Sequence, residues 1–155
     1  MTITTTEPFL LKVGSAAPDF HEVLASGNQY LSLSDYKGQF LIMVFYPKDQ
    51  TPGCTKQLCA LRDDFEAVRS SNAQVVGVNH GSLQSHERFV AAQDYPFPIL
   101  VDEGARIASV YGALKEGGGI QRTVYIVSPD GKIAFAEQGM PSDEKLLETI
   151  RNYNA

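Results

Sequence analysis

The chain has 155 residues, 43% hydrophobic and 20% charged, with aromatics spread along its length; this suits one domain around one core and excludes a disordered chain or a disulfide-stapled mini-protein. Thirteen Lys and Arg against 18 Asp and Glu leave a net charge of −5, which disfavours nucleic-acid binding. The longest unbroken apolar run, Phe40 to Tyr46, is seven residues where a membrane-spanning helix needs about 20, so no membrane partner is expected.

In chain order, the start MTITTTEPFLLKVG fits neither a secretory signal nor an Arg-rich transit peptide, and a cytoplasmic location is the expectation. Residues 1–12 are read as an N-terminal extension and residues 13–155 as a single domain. The runs 40–46 (FLIMVFY), 75–78 (VVGV) and 124–127 (VYIV) are short, continuous and rich in β-formers, the pattern of strands buried on both faces. Between the first two, Leu58, Leu61, Phe65 and Val68 recur at helical spacing in TKQLCALRDDFEAVRSS, and LQSHERFVAA (83–92) reads as another helix. Gly117-Gly118-Gly119 reads as a mobile surface loop. Ser128-Pro129-Asp130-Gly131 is a turn joining the third run to KIAFAEQ as a hairpin, and Ser142 to Tyr153 closes the chain as a capped helix. Strands alternating with helices predict the α/β class, a mixed sheet flanked by helices, with ligand sites near the carboxyl ends of its strands.

Two cysteines allow at most one internal bridge, and in a reducing compartment such a pair is more often redox-active, catalytic or metal-binding than structural. Cys54 follows the first apolar run in PKDQTPGCT. Thr51 is a natural N-cap and Pro52 fits the first helical position, which puts Cys54 in the turn whose N–H groups lack intrahelical partners. Those groups favour an anion, and the thiolate is the reactive form of cysteine. The plainer alternative is a small core residue, since Cys54, Leu58, Leu61, Phe65 and Val68 share one stripe. Cys59 shares the face of Arg62, Glu66 and Arg69 and is expected nearer solvent.

The stretch FYPKDQTPGCTKQLCALRDDF closely resembles the active-site segment of peroxiredoxins, in particular the bacterioferritin-comigratory-protein or PrxQ group, with its Pro-x-x-x-Thr-x-x-Cys pattern at Pro47, Thr51 and Cys54 and a second cysteine five residues on. The likeness runs from about Val13 to Arg151, through APDF (17–20), SLSDYKG (32–38), Ser85-His86, YPFPIL (95–100) and QRTVYIVSPDGKI (121–133). It implies a thioredoxin-like fold, Cys54 as the peroxidatic cysteine, Cys59 as the resolving cysteine and Arg122 as the active-site arginine. It also implies that Cys54 attacks a hydroperoxide with help from Arg122, the Thr51 hydroxyl and its own backbone N–H, with Pro47 shielding the sulfur. A disulfide with Cys59 would follow, reduced by thioredoxin or a similar dithiol. No metal, flavin or nucleotide is required, and a monomer is expected. Two positions depart from the family: Gln57 stands where many members have Glu, and residues 79–81 are Asn-His-Gly where a Ser and an Asp are expected.

Apart from the resemblance, Arg122 opens a central strand, where a charge without a partner is costly, although an ordinary strand-end surface arginine is the simpler account. Two other classes share part of this pattern. A zinc module would use Cys54, Cys59, His80 and His86, but a full helix and a buried strand intervene between its halves. A thiol–disulfide exchange protein would have Cys-x-x-Cys, which is absent. His80 is expected in a loop and His86 on a helix surface, and the pairs Asp63-Asp64 and Asp102-Glu103 are expected to be solvated. Gly131-Lys132-Ile133 lacks the Ser or Thr of a phosphate-binding loop. Finally, five residues of intact helix separate two Cα atoms by about 8.6 Å, beyond the roughly 7 Å a disulfide spans, so Cys54–Cys59 bonding requires unwinding from about Thr51 to Leu61.

Overall fold

The computed structural model describes residues 7–153; the first half of the expected N-terminal extension, residues 1–6, lies outside them. Seven strands form one mixed sheet: β1 (Val23–Ala25), β2 (Gln29–Leu31), β3 (Phe40–Phe45), β4 (Ala73–Asn79), β5 (Ile99–Val101), β6 (Thr123–Val127) and β7 (Ile133–Gln138). Their spatial order is β2-β1-β5-β4-β3-β6-β7, with β3, β4 and β5 parallel and β6, β7, β1 and β2 joined antiparallel. The three predicted central strands are therefore β3, β4 and β6, and the predicted hairpin is β6–β7. Gly131, at φ 84°, makes the turn that a side chain would strain, and its N–H closes on the Ser128 carbonyl at 2.9 Å.

Burial on both faces follows from the alternation of side chains along each strand. Phe40, Ile42, Val44 and Tyr46 point into one core layer, with Leu58, Leu61, Val68, Phe89, Leu146 and Ile150 from the helices above it. Leu41, Met43 and Phe45 point into the opposite layer, with Phe20, Ile107, Ala108, Tyr111 and Tyr125. The helices are α1 (Pro52–Asp63), α2 (Phe65–Ser70), α3 (Leu83–Gln93), α4 (Arg106–Val110) and α5 (Asp143–Tyr153). The single helix expected through TKQLCALRDDFEAVRSS is kinked at Asp64, which ends α1 and begins α2. Asp favours caps over helix interiors, and the Asp64 carbonyl still accepts from Val68 N–H at 3.1 Å, so the apolar stripe survives the kink. At the start of α5, Ser142 Oγ accepts from Lys145 N–H at 3.1 Å, the expected cap.

Residues 9–11 are tied to the domain. Phe9 N–H donates to the Gly112 carbonyl at 2.9 Å and Leu11 N–H to the Tyr125 hydroxyl at 3.0 Å. The three glycines at 117–119 are exposed and form a hydrogen-bonded reversal, Lys115 N–H donating to the Gly119 carbonyl at 2.7 Å. Asp102 corrects the expectation of a solvated acid pair. It is buried, and its two oxygens accept from Ile107 and Ala108 N–H, each at 2.8 Å, supplying the missing partners at the start of α4.

Candidate active site

The thiol loop leaves the carboxyl end of β3 and enters α1 at the amino end of that helix. Thr51 is its N-cap with extended backbone, Pro52 takes the first helical position, and the first amide to reach a backbone carbonyl is that of Thr55, on Thr51 at 2.9 Å. The Cys54 N–H thus lies in the unpaired first turn, as the sequence predicts. The Thr51 side chain does not cap: its hydroxyl donates to the Lys48 carbonyl at 2.9 Å and so tightens the loop. Pro47 is exposed at the head of that loop, its carbonyl accepting from Asn79 Nδ2 at 3.0 Å.

Sheet register delivers the cation. In the antiparallel pair β3–β6, Phe45 stands opposite Thr123, so the residue before β6 arrives beside the point where β3 gives way to the thiol loop. Arg122 there reaches two groups of α1, donating from Nη2 to Cys54 Sγ at 3.4 Å and from Nη1 to Gln57 Oε1 at 3.0 Å. Gln57, 8% exposed, therefore orients the guanidinium without neutralising it, where a Glu would add a negative charge. Among the described residues no carboxylate lies within ion-pairing distance of Arg122. A negative sulfur at Cys54 would be its closest counter-charge. Gly53 makes the approach possible, since a Cβ there would stand 3.2 Å from Arg122 Nη2.

Cys54 is fully buried and belongs to the apolar stripe, so the core position and the polar site coincide. Cys59 is half-buried, nearer solvent as expected, and its surroundings carry no charge at hydrogen-bond range: Sγ lies 3.4 Å from Gln93 Oε1 and 3.5 Å from the Tyr95 hydroxyl. That hydroxyl also lies 3.5 Å from the Thr55 carbonyl, so Tyr95 ties the 55–59 turn of α1 to the segment before β5. Burial, and then the contact with Cys59, push the Tyr95 phenol well above its ordinary value, leaving it a neutral hydrogen-bonding group. Both thiols are free and sit on the uninterrupted helix α1.

His80 is exposed after β4, as expected, but His86 overturns the surface assignment. It is 0% exposed, on the inward face of α3 with Phe89 three residues on, and its ring nitrogens are engaged by Asp49 and by the Asn79 carbonyl. Asp49 and Tyr46 complete this cluster under the thiol loop, and sequence reasoning did not single them out. With His86 so engaged, the Cys54, Cys59, His80, His86 zinc set is not assembled, and no group of three His, Cys, Asp or Glu among the described residues is placed to hold a metal ion. Nor is any described helix long and apolar enough to cross a membrane.

A model of the AhpC/TSA family matches residues 13–136. The peroxiredoxin Bcp of Bacillus subtilis is 33% identical over 130 residues, 79% of this chain and 82% of the relative. A putative peroxiredoxin bcp of Coxiella burnetii is 32% identical over 147 residues, 90% of this chain and 97% of the relative. Among solved structures, the peroxidoxin BcpB of Mycobacterium tuberculosis superposes with a TM-score of 0.86 at 24% identity, covering 94% of this chain and 99% of its own, a likeness of fold. With a thioredoxin-like α/β sheet, a thiol at a helix start and a family match over most of its length, the chain belongs to the AhpC/TSA family, as a thiol-dependent peroxidase of the Bcp and peroxiredoxin Q group.

Proposed function

We propose that Cys54 is the peroxidatic cysteine, Cys59 the intramolecular resolving cysteine, and Arg122 the cation that serves the first step. The observation that carries this reading is the 3.4 Å contact between Arg122 Nη2 and the sulfur of a cysteine in the first turn of a helix. The Cys54 thiolate attacks one oxygen of a hydroperoxide; the O–O bond breaks, the distal oxygen stays on sulfur as a sulfenic acid, and the other leaves as water or an alcohol after taking a proton. Arg122 and the Cys54 N–H stabilise the charge that moves along the O–O axis. The Thr51 hydroxyl, bonded to Lys48, retains lone pairs with which to accept from the peroxide, and Pro47 shields the thiolate from water.

The Cys59 thiol then condenses with the sulfenic acid, forming the disulfide and releasing water, and an external dithiol such as thioredoxin supplies two electrons and two protons to restore both thiols. Because one helix carries both cysteines, a single chain is sufficient, and a monomer is the assembly this chemistry needs. No metal or organic cofactor enters any step.

The test is peroxide consumption coupled to thioredoxin and its reductase. Cys54→Ser should abolish turnover, whereas Cys59→Ser should still consume about one equivalent without added thiol. Equal loss of the single turnover in both variants rejects the assignment.

A further inference from the structure

Beneath the thiol loop lies a buried polar cluster that this chemistry leaves without a role. His86 Nδ1 stands 2.6 Å from Asp49 Oδ2, and Nε2 stands 3.1 Å from the Asn79 carbonyl oxygen. Asp49 Oδ2 also accepts from Ser85 Oγ at 2.7 Å, and Oδ1 accepts from the Tyr46 hydroxyl at 2.5 Å. Burial alone would push the Asp49 carboxyl up, but hydrogen bonds from His86, Tyr46 and Ser85 outweigh it and hold the carboxyl below its ordinary value. The donors converging on both of its oxygens fit the carboxylate form of Asp49, in which His86 has an acceptor on each side. A carbonyl oxygen and a carboxylate cannot donate, so one arrangement satisfies every atom: a hydrogen on both ring nitrogens. A neutral ring would aim a lone pair at an acceptor while fully buried, which is costly.

The cluster also fixes one end of the loop. Asn79 Nδ2 donates to the carbonyls of Tyr46 and Pro47 at 2.8 and 3.0 Å, and its Oδ1 accepts from Gly81 N–H at 2.8 Å. Residues 46–49 are thereby bound to the end of β4 and the start of α3. Gly77 leaves room for the Tyr46 ring, whose Cε1 would stand 3.2 Å from a Cβ added there. The tie ends abruptly. Gln50 is exposed and adopts φ 60°, a left-handed conformation that a residue with a side chain holds only under constraint.

We propose that Asp49 and His86 are positioning residues: a buried carboxylate–imidazolium pair that anchors the thiol loop through Asp49, holds Cys54 in register with Arg122, and makes Gln50 the hinge from which α1 unwinds during resolution. The proposal rests on the roles of Cys54 and Cys59 argued above. A hinge at Gln50 lets the helix start release while the strand end and the anchor stay folded. It also lets the strained left-handed residue relax when the helix opens.

The first measurement uses unaltered, reduced protein labelled with 15N. At pH 7 both ring nitrogens of His86, assigned by their loss in His86→Gln, should show one-bond coupling to hydrogen; an uncoupled nitrogen overturns the ion pair. The second is amide hydrogen exchange before and after oxidation to the Cys54–Cys59 bond. Tyr46, Gly81 and His86 should keep their protection while the amides of α1 lose it, and lost protection at Tyr46 and Gly81 overturns the hinge. In a Cys59→Ser background, Asp49→Asn should slow the single reaction of Cys54 with peroxide about tenfold or more, the scale of a small misplacement at a reacting atom. An unchanged rate overturns the positioning role. If Cys54→Ser itself retained turnover, the peroxidatic assignment would fall, while the nitrogen couplings would still decide the ion pair.

Discussion

Cys54 and Cys59 are carried by the same helix, yet their surroundings share almost nothing. Around Cys54 the chain assembles a guanidinium 3.4 Å away, a first-turn amide and a fully buried sulfur. Within hydrogen-bond range of Cys59 it places two neutral groups, an amide oxygen and a phenol, with the Arg62 guanidinium turned to the Gln93 carbonyl, and leaves the sulfur half-buried. Identical side chains thus sit in two different settings, as the proposed division into nucleophile and resolving partner requires, and residues from elsewhere in the sequence make the difference: Arg122 for one thiol, Gln93 and Tyr95 for the other.

Removing the cation is the strongest way to erase that contrast. Arg122→Ala should slow the peroxide step by about 10²-fold or more, the scale of losing one preorganised electrostatic group, as followed by stopped-flow single turnover in a Cys59→Ser background. An unchanged rate would reduce Arg122 to a strand-end residue. A smaller loss, about tenfold, is expected for Gln57→Ala, which keeps the charge but removes the hydrogen bond that aims it. If Gln57→Ala costs as much as Arg122→Ala, aiming and charge are one effect and the two should be non-additive in the double variant.

Loosening the reserve thiol should act in the opposite direction and on a later step. Tyr95→Phe removes the hydroxyl that contacts Cys59 and the Thr55 carbonyl, so disulfide formation after the first turnover should accelerate several-fold, the scale of one neutral hydrogen bond, with the peroxide step little changed. A slower resolving step would mean that Tyr95 guides Cys59 instead of holding it.

The smallest effect concerns the far end of the same helix. Asp143, at the start of α5, is pushed up to about 7 by burial and by Asp64 at the end of α1, and its Oδ2 is buried without a donor. The folded state therefore keeps a proton that the unfolded chain has released above about pH 4, so this pair costs stability progressively as pH rises from about 4 to 7. Asp143→Asn should raise the urea midpoint at pH 8 and change it little at pH 4. A gain at pH 4 as large as that at pH 8 would exclude the carboxyl pair as its cause.

What could be read from the sequence follows the physics of each signal. Continuous apolar runs and helical stripes located β3, β4, β6, α3 and α5, because burial on both faces or along one face leaves a periodic record. Strands β1, β2 and β5 have three residues each, too short for any period to register. The helix start at Thr51 and Pro52 was legible from capping chemistry, but not that the Thr51 hydroxyl would turn back to Lys48. The buried ionic cluster escaped because Asp49 and His86 are partners across 37 positions and each alone looks like surface. One local signal was available: His86 and Phe89 are three apart, which on a helix places the imidazole on the apolar face.

The 68 positions between Cys54 and Arg122 have a bearing on the protein's own synthesis. The contacts within helix α1 are local, whereas the guanidinium arrives only when β6 pairs with β3, after most of the domain has been made. A nascent chain therefore carries Cys54 for much of its synthesis without the guanidinium that stands beside it in the folded domain. On the proposed roles, the reactivity of Cys54 would switch on together with the long-range pairing that completes the sheet.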